Sequence, residues 1–267
     1  MFPYIKVANK SISMYGIMAL VGALLCIFYV IKVCKNEKRD DYKYINMLLF
    51  SVIGILIGGH ILYGITNIDK FIDLIKNIGG LSIKDIFSSV IEIFGGSVFY
   101  GGLIGGCIVA YIYAVKAKIN NRDTYDILTP VIPLFHTFGR IGCFLVGCCY
   151  GVESKIGFTF HNAIIESANN VNRFPVQLVE ALFNFVLFLC LVYLYKNKKC
   201  KGFLINIYFI IYPIFRFIIE FFRGDSYRGF LFSLSTSQLI SIVLVLISVF
   251  NLLKMKYKGK KMTTSSI

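Results

Sequence analysis

Seven apolar runs, each about the length that crosses a hydrocarbon core of ~30 Å, alternate with short polar segments along these 267 residues. They run from Ile12 to Lys32, Ile45 to Ile65, Ser97 to Val115, Ile127 to Val146, Val176 to Tyr195, Phe203 to Phe222 and Thr236 to Leu253. This pattern predicts an all-α fold: a single integral membrane domain, a polytopic membrane helix bundle of about seven transmembrane helices. The first run ends in basic residues with no small-residue cleavage site, so it reads as a retained helix and not a removed signal peptide. Between the second and third runs, Asp69 to Asp85 is too polar to cross. Ile86 to Phe94 is apolar but short, as an interfacial or re-entrant segment would be.

Composition sharpens this picture. With 57% hydrophobic residues, a mean hydropathy of +0.73 and 16% charged residues, the chain lies far from soluble globular domains. Its formal charge of +14 suggests nucleic acid until the positions are read: lysines and arginines sit in short clusters between apolar runs, not on one basic face, so no nucleic-acid partner is expected. Five lie from Lys32 to Lys43, three from Lys116 to Arg122, four from Lys196 to Lys201 and five from Lys254 to Lys261, seventeen on one side. The other side carries nine: Lys6, Lys10, Lys70, Lys76, Lys84, Lys155, Arg173, Arg223 and Arg228. The bias predicts an outward N-terminus and a cytoplasmic C-terminus, with 67–96 and 152–175 as extracytoplasmic loops and 254–267 as a basic cytoplasmic tail.

One run carries chemistry. His136 to Gly151 reads HTFGRIGCFLVGCCYG and places Arg140 at membrane depth, where a cation costs at least ~2.5–3.5 kcal/mol unless it faces a polar site. Gly139 and Gly142 clear space beside it, and Gly147 and Gly151 repeat this further on, so backbone or ligand can approach and the helix can break. A guanidinium there suits an anionic lipid headgroup, to which it offers a bidentate fork. The plainer reading is a structural arginine paired with Glu180 or Glu220.

Other polar residues fall at helical spacings. Gln177 and Glu180, in RFPVQLVE, share a helix face as caps or as walls of the Arg140 cavity. In YPIFRFIIEFFRGDS, Tyr212, Arg216, Glu220 and Arg223 recur at four, four and three, a polar stripe in which Arg216 and Glu220 pair. One carboxylate does not neutralise Arg216, Arg223 and Arg140, so surplus positive charge is expected to attract an anion. His60, in GGHILYG, reads as a packing histidine or a second-tier site residue. Paired glycines from Gly101 to Gly106 allow close helix approach.

Five of the eight cysteines lie in or at the ends of apolar spans, where free cysteine behaves as a small hydrophobe. Cys143, Cys148 and Cys149 cluster. With His136 they could ligate a soft metal or relay thiols, but the spacing fits no established zinc pattern and neighbouring cysteines make awkward paired ligands, so neither metal nor cofactor is expected. A transporter or lipid-binding protein without chemistry is the other alternative, although the halves show no inverted repeat.

The motifs SMYG, GGHILYG, FYGGLIGG, GRIGCF, GCCYG, PVQLVE, YPIFRFIIEFFRGD and SLSTSQLIS together resemble the prolipoprotein diacylglyceryl transferase family of the bacterial inner membrane. The resemblance implies transfer of the diacylglyceryl group of phosphatidylglycerol to the lipobox cysteine thiol of a prolipoprotein signal peptide, with release of glycerol phosphate. It implies that Arg140 holds the lipid phosphate, that Arg216 assists the leaving phosphate and that Glu220 and Tyr212 organise the stripe. Tyr100 stands where the family usually has histidine, Cys143 where it has asparagine, Cys148 where it has glutamate and His60 where it has arginine. Tyr100 would occupy the proton acceptor's place, although a tyrosine hydroxyl is a poorer acceptor than an imidazole at neutral pH. Tyr15, His60, Gly101, Gly102, Cys143, Gly151, Gln177, Glu180 and Arg223 complete the implied substrate-binding set. A divergent paralogue would use the same lipid site with a different acceptor.

Overall fold

The computed structural model describes residues 1–7, 10–225, 230–231 and 234–264. In chain order, among these residues, the elements are β1 (Tyr4–Val7), β2 (Lys10–Ser13), α1 (Met14–Asn36), α2 (Asp41–Thr66), α3 (Ile68–Asn77), α4 (Ile83–Phe94), α5 (Phe99–Lys116), α6 (Arg122–Leu128), α7 (Val131–Val146), β3 (Glu153–Thr159), β4 (Asn172–Arg173), α8 (Val176–Lys196), α9 (Leu204–Ile219), β5 (Phe230–Leu231), β6 (Leu234–Ser235) and α10 (Thr236–Thr264). Seven stretches are long and apolar enough to cross a membrane, making this an all-α, multi-pass membrane protein. Arg228, counted above among the charges opposite the cytoplasmic clusters, lies outside the described residues.

The predicted spans are recovered with adjusted ends. Ile12 belongs to β2, not to the first helix, because it pairs with Ile5 in an antiparallel hairpin. The fourth span is two helices, since Pro130 has no backbone N–H to continue the ladder of α6 and sits instead at the start of α7. The sixth span tightens into a 3₁₀ turn at Glu220–Phe222.

The chain divides into two compact units, Cys34–Asn120 and Met1–Val33 with Asn121–Ile267. In the first of these, α2 and α5 meet glycine to glycine. A Cβ on Gly105 would strike the carbonyl oxygen of Gly54, and one on Gly58 would strike that of Gly101. The backbones are thus already in van der Waals contact, as small-residue helix pairs in membranes require. Gly105→Leu is expected to cost ~1–3 kcal/mol or more, read as loss of monodisperse protein in detergent; wild-type yield and melting would contradict this packing. The segment from Asn67 to Gly96 forms α3 and α4, the latter started by a capping box in which Ser82 and Asp85 satisfy each other's backbone N–H.

In the other unit, α8 and α9 pack through Leu187, Leu191, Leu204, Tyr208 and Tyr212. Gly142 lets α1 lie across α7, with Tyr15 Cδ2 at 3.1 Å and Met18 Cβ at 3.3 Å from where its Cβ would be. Asp126 accepts from the backbone N–H groups of Gly202 and Leu204, the latter at 3.1 Å, and so anchors the turn that leads into α9. Ser235 and Gln238 cap α10 reciprocally at 2.9 and 3.2 Å.

Candidate active site

Three helices place one chain of charges. Arg140, on α7, donates from Nε to His136 Nε2, one turn earlier on its own helix, at 3.1 Å, and the same Nε lies 3.0 Å from Glu180 Oε2 on α8 as an ion pair. Glu180 is fully buried and bridges onward: its Oε1 accepts from Arg216 Nη1 on α9 at 3.1 Å. Arg216 then reaches Glu220 Oε2 through Nη2 at 2.6 Å and Ser237 Oγ on α10 at 3.4 Å. Arg140 spends only its Nε in this way. Its Nη1 and Nη2 have no hydrogen-bond partner among the described residues, and its side chain keeps 8% exposure. A guanidinium whose outer edge is unspent, held by a carboxylate at its inner edge, is a preorganised two-pronged donor for a phosphate.

The expected surplus of positive charge is corrected here. Glu180 and Glu220 balance Arg140 and Arg216, and Arg223 pairs bidentately with Asp225, at 2.9 Å from Nε and 2.5 Å from Nη2. Among the described residues each of these arginines thus has a carboxylate within ion-pair distance. Of the two partners expected for Arg140 on the plainer reading, Glu180 or Glu220, it is Glu180 that pairs with it, while Arg216 pairs with Glu220 as the stripe predicts and also with Glu180, which thus serves both arginines. Arg223 does not continue the stripe of Tyr212, Arg216 and Glu220: the helix has ended, and Arg223 is in extended conformation, bridged backbone to backbone with Gly151.

That bridge gathers the loop after α7. Gly147 closes the helix in the left-handed conformation, φ 81°, a position a side chain resists. Val152 N–H then donates to Phe222 O at 2.9 Å and Gly224 N–H to Tyr150 O at 2.9 Å, so Cys148 to Gly151 lie against the end of the sixth span. A Cβ on Gly151 would strike Phe174 O. Gln177 Nε2 donates to Cys148 O at 2.8 Å, while its buried Oε1 has no donor among the described residues. The sulfurs of Cys143, Cys148 and Cys149 all lie within 4.8 Å of one another. Hydrogen bonds from Cys143 and then Cys148 hold the Cys149 thiol well below its ordinary range, with Arg223 and Arg140 adding to the effect and burial opposing it.

Tyr212 is fully buried, its ring stacked on Tyr208 at 5.5 Å and edge-on to His136 at 5.2 Å; it supports the histidine that Arg140 contacts. Tyr100, Gly101, Gly102 and His60 belong to the Cys34–Asn120 unit. Tyr100 is buried at the start of α5 with its ring 5.5 Å from that of Phe99, and Gly101 is part of the glycine contact with α2. His60 Nδ1 lies 2.7 Å from Phe94 O and 2.8 Å from Gly96 O; since carbonyls only accept, that nitrogen carries the proton, and Nε2 is the ring atom left for other partners. The packing reading of His60 fits these contacts.

Comparison with known proteins decides the family. A model of the family described as prolipoprotein diacylglyceryl transferase matches residues 4–254. The chain belongs to the prolipoprotein diacylglyceryl transferase family. It is 34% identical over 241 residues to the phosphatidylglycerol–prolipoprotein diacylglyceryl transferase of Clostridium tetani, covering 88% of this chain and 90% of that protein. It is 35% identical over 263 residues to phosphatidylglycerol–prolipoprotein diacylglyceryl transferase 2 of Clostridium perfringens, covering 97% and 96%. An enzyme of the same name from Rickettsia bellii is 33% identical over 267 residues.

In this prolipoprotein diacylglyceryl transferase family member, several supporting residues escape sequence reasoning. Asp225 holds Arg223; its signal, the sequence Arg-Gly-Asp, is visible only if the helix is stopped before Arg223. Arg173, counted above only as a loop charge, is buried and donates to the carbonyls of Ser167 at 2.7 Å and of Ala168 and Gly151 at 3.3 Å, over the ring of Tyr150. Asn184, one turn after Glu180, donates to the Glu180 carbonyl at 2.8 Å.

Proposed function

We propose that this protein moves the diacylglyceryl group of phosphatidylglycerol onto the lipobox cysteine of prolipoproteins in the bacterial cytoplasmic membrane, with its N-terminus outside and C-terminus inside. Family membership supports the reaction class, and the observation that carries the reading is the Arg140–Glu180–Arg216–Glu220 chain with Arg140's outer edge unspent. In the reaction the bond between the glyceryl carbon and its phosphate oxygen breaks, the electron pair stays on the phosphate, the cysteine sulfur bonds to that carbon, and the thiol proton leaves to a base. Arg140 holds the phosphate. Arg216, fixed by two carboxylates, is placed to stabilise negative charge as it develops, which requires donors oriented before the reaction. Glu180, Glu220, Tyr212 and His136 act as positioning residues, and the lysine and arginine bias supports the orientation.

The test uses purified protein in phosphatidylglycerol vesicles with a synthetic lipobox peptide. Glycerol phosphate is expected to appear in equal amount to thioether-linked diacylglyceryl peptide. Hydrolysis of the lipid without thioether, or flux of a solute with no lipid turnover, would overturn the reading in favour of another acceptor or of transport.

A further inference from the structure

Cys143, Cys148 and Cys149 have no part in the arginine–glutamate chain, yet the fold goes to some length to bring them together. Cys143 is in the last turn of α7. The left-handed Gly147 and the hydrogen bond from Cys148 N–H to Cys143 O at 3.1 Å turn the chain back over that helix end. Cys149 itself is left-handed, φ 54°, a conformation that costs a non-glycine residue on the order of 1–2 kcal/mol. The result is three sulfurs mutually within 4.8 Å, one buried and two half-buried.

We propose that Cys143, Cys148 and Cys149 form a binding site for a thiophilic closed-shell cation of the Zn(II), Cd(II) or Cu(I) class. Soft thiolates select such ions over Mg(II) or Ca(II). With metal–sulfur bonds of about 2.3 Å, a three-sulfur site spaces its sulfurs at about 3.8–4.0 Å, so the observed cluster closes onto an ion by small rotations of the two half-buried side chains. Three thiols lose their protons to solvent as three metal–sulfur bonds form. Gln177, fixed to the Cys148 carbonyl through Nε2 at 2.8 Å, buries an Oε1 that lacks a donor among the described residues, so a polar atom stands unspent on the side chain that holds this loop. A disulfide would leave one of the three sulfurs idle; a cation employs all of them. Of the two sequence arguments against a metal, the spacing does not show the reversal at Gly147, which brings Cys143 to the neighbouring pair.

The experiment titrates Cd(II) alone into the full-length protein in detergent, anaerobically and with a phosphine reductant. The expected result is a sulfur-to-metal charge-transfer band saturating at one equivalent, with Cys148 and Cys149 protected from alkylation in peptide mass mapping while exposed Cys107, Cys190 and Cys200 still label. Cys148→Ser and Cys149→Ser, at half-buried positions, are each expected to weaken binding by about tenfold or more. Absence of the band in wild-type protein, unchanged labelling of Cys148 and Cys149, equal binding by both variants, or a disulfide among the three under reductant would overturn the proposal. None of these readouts depends on transferase activity.

Discussion

Arg140→Ala is expected to lower diacylglyceryl transfer about 10²–10³-fold, the usual loss when one preplaced donor to a developing anion is removed. The folded protein should survive, because Glu180 keeps its 3.1 Å bond to Arg216 and is not left as an isolated buried charge. Arg140→Lys separates charge from shape. It keeps a cation but loses the planar fork, since a lysine cannot turn one edge to Glu180 and present two further N–H groups outward. Lysine is therefore expected to restore little of the rate. Initial rates of glycerol phosphate release at saturating peptide provide the measurement. Near-wild-type rates in the lysine variant would mean that Arg140 acts as a point charge, and near-wild-type rates in the alanine variant would remove it from the site.

The largest effect on stability is expected at Glu180. It is fully buried, with one oxygen on Arg140 and the other on Arg216. Glu180→Ala leaves Arg140 without a carboxylate and Arg216 with Glu220 alone. Breaking a buried ion pair from one side costs about 3–5 kcal/mol, which for a chain of this size lowers the unfolding midpoint by about 10 °C or more. Glu180→Gln keeps the shape and one good acceptor, so it should unfold between wild type and the alanine variant while losing most activity. Thermal unfolding of the two variants in detergent is the check. If alanine and glutamine melt together with wild type, the bridge is not what joins α7, α8 and α9.

How much of this could be read from the chain follows from which interactions are local. The spans were legible because apolar runs of the required length leave few alternatives in a bilayer. The Arg216–Glu220 pair was legible because it lies at i and i+4 on one helix. The sharing of Glu180 between two arginines was not, because it depends on the rotation of α7 and α9 about α8, which no short-range pattern encodes. That missing carboxylate is why the sequence suggested surplus charge. Arg223 was misplaced for a different reason: helical spacing was carried past the 3₁₀ turn at Glu220–Phe222 to Arg223, where the chain is already extended. The strands Tyr4–Val7, Lys10–Ser13 and Asn172–Arg173, of four, four and two residues, were missed because they are too short to stand out from loop composition. The glycines of α2 and α5 were read for close packing, and the packing is there.

Whether this family member forms the thioether, and needs Arg140 to do so, is open to one direct experiment. The most direct measurement expresses the chain in cells depleted of their own transferase and weighs a lipoprotein's N-terminal peptide, with Arg140→Ala beside it. A diacylglyceryl group on the lipobox cysteine is expected with wild-type protein, and its loss with the variant, both proteins being inserted in the membrane to equal amounts. Stable insertion of the wild-type protein with an unmodified cysteine would contradict it, and so would full modification by the variant.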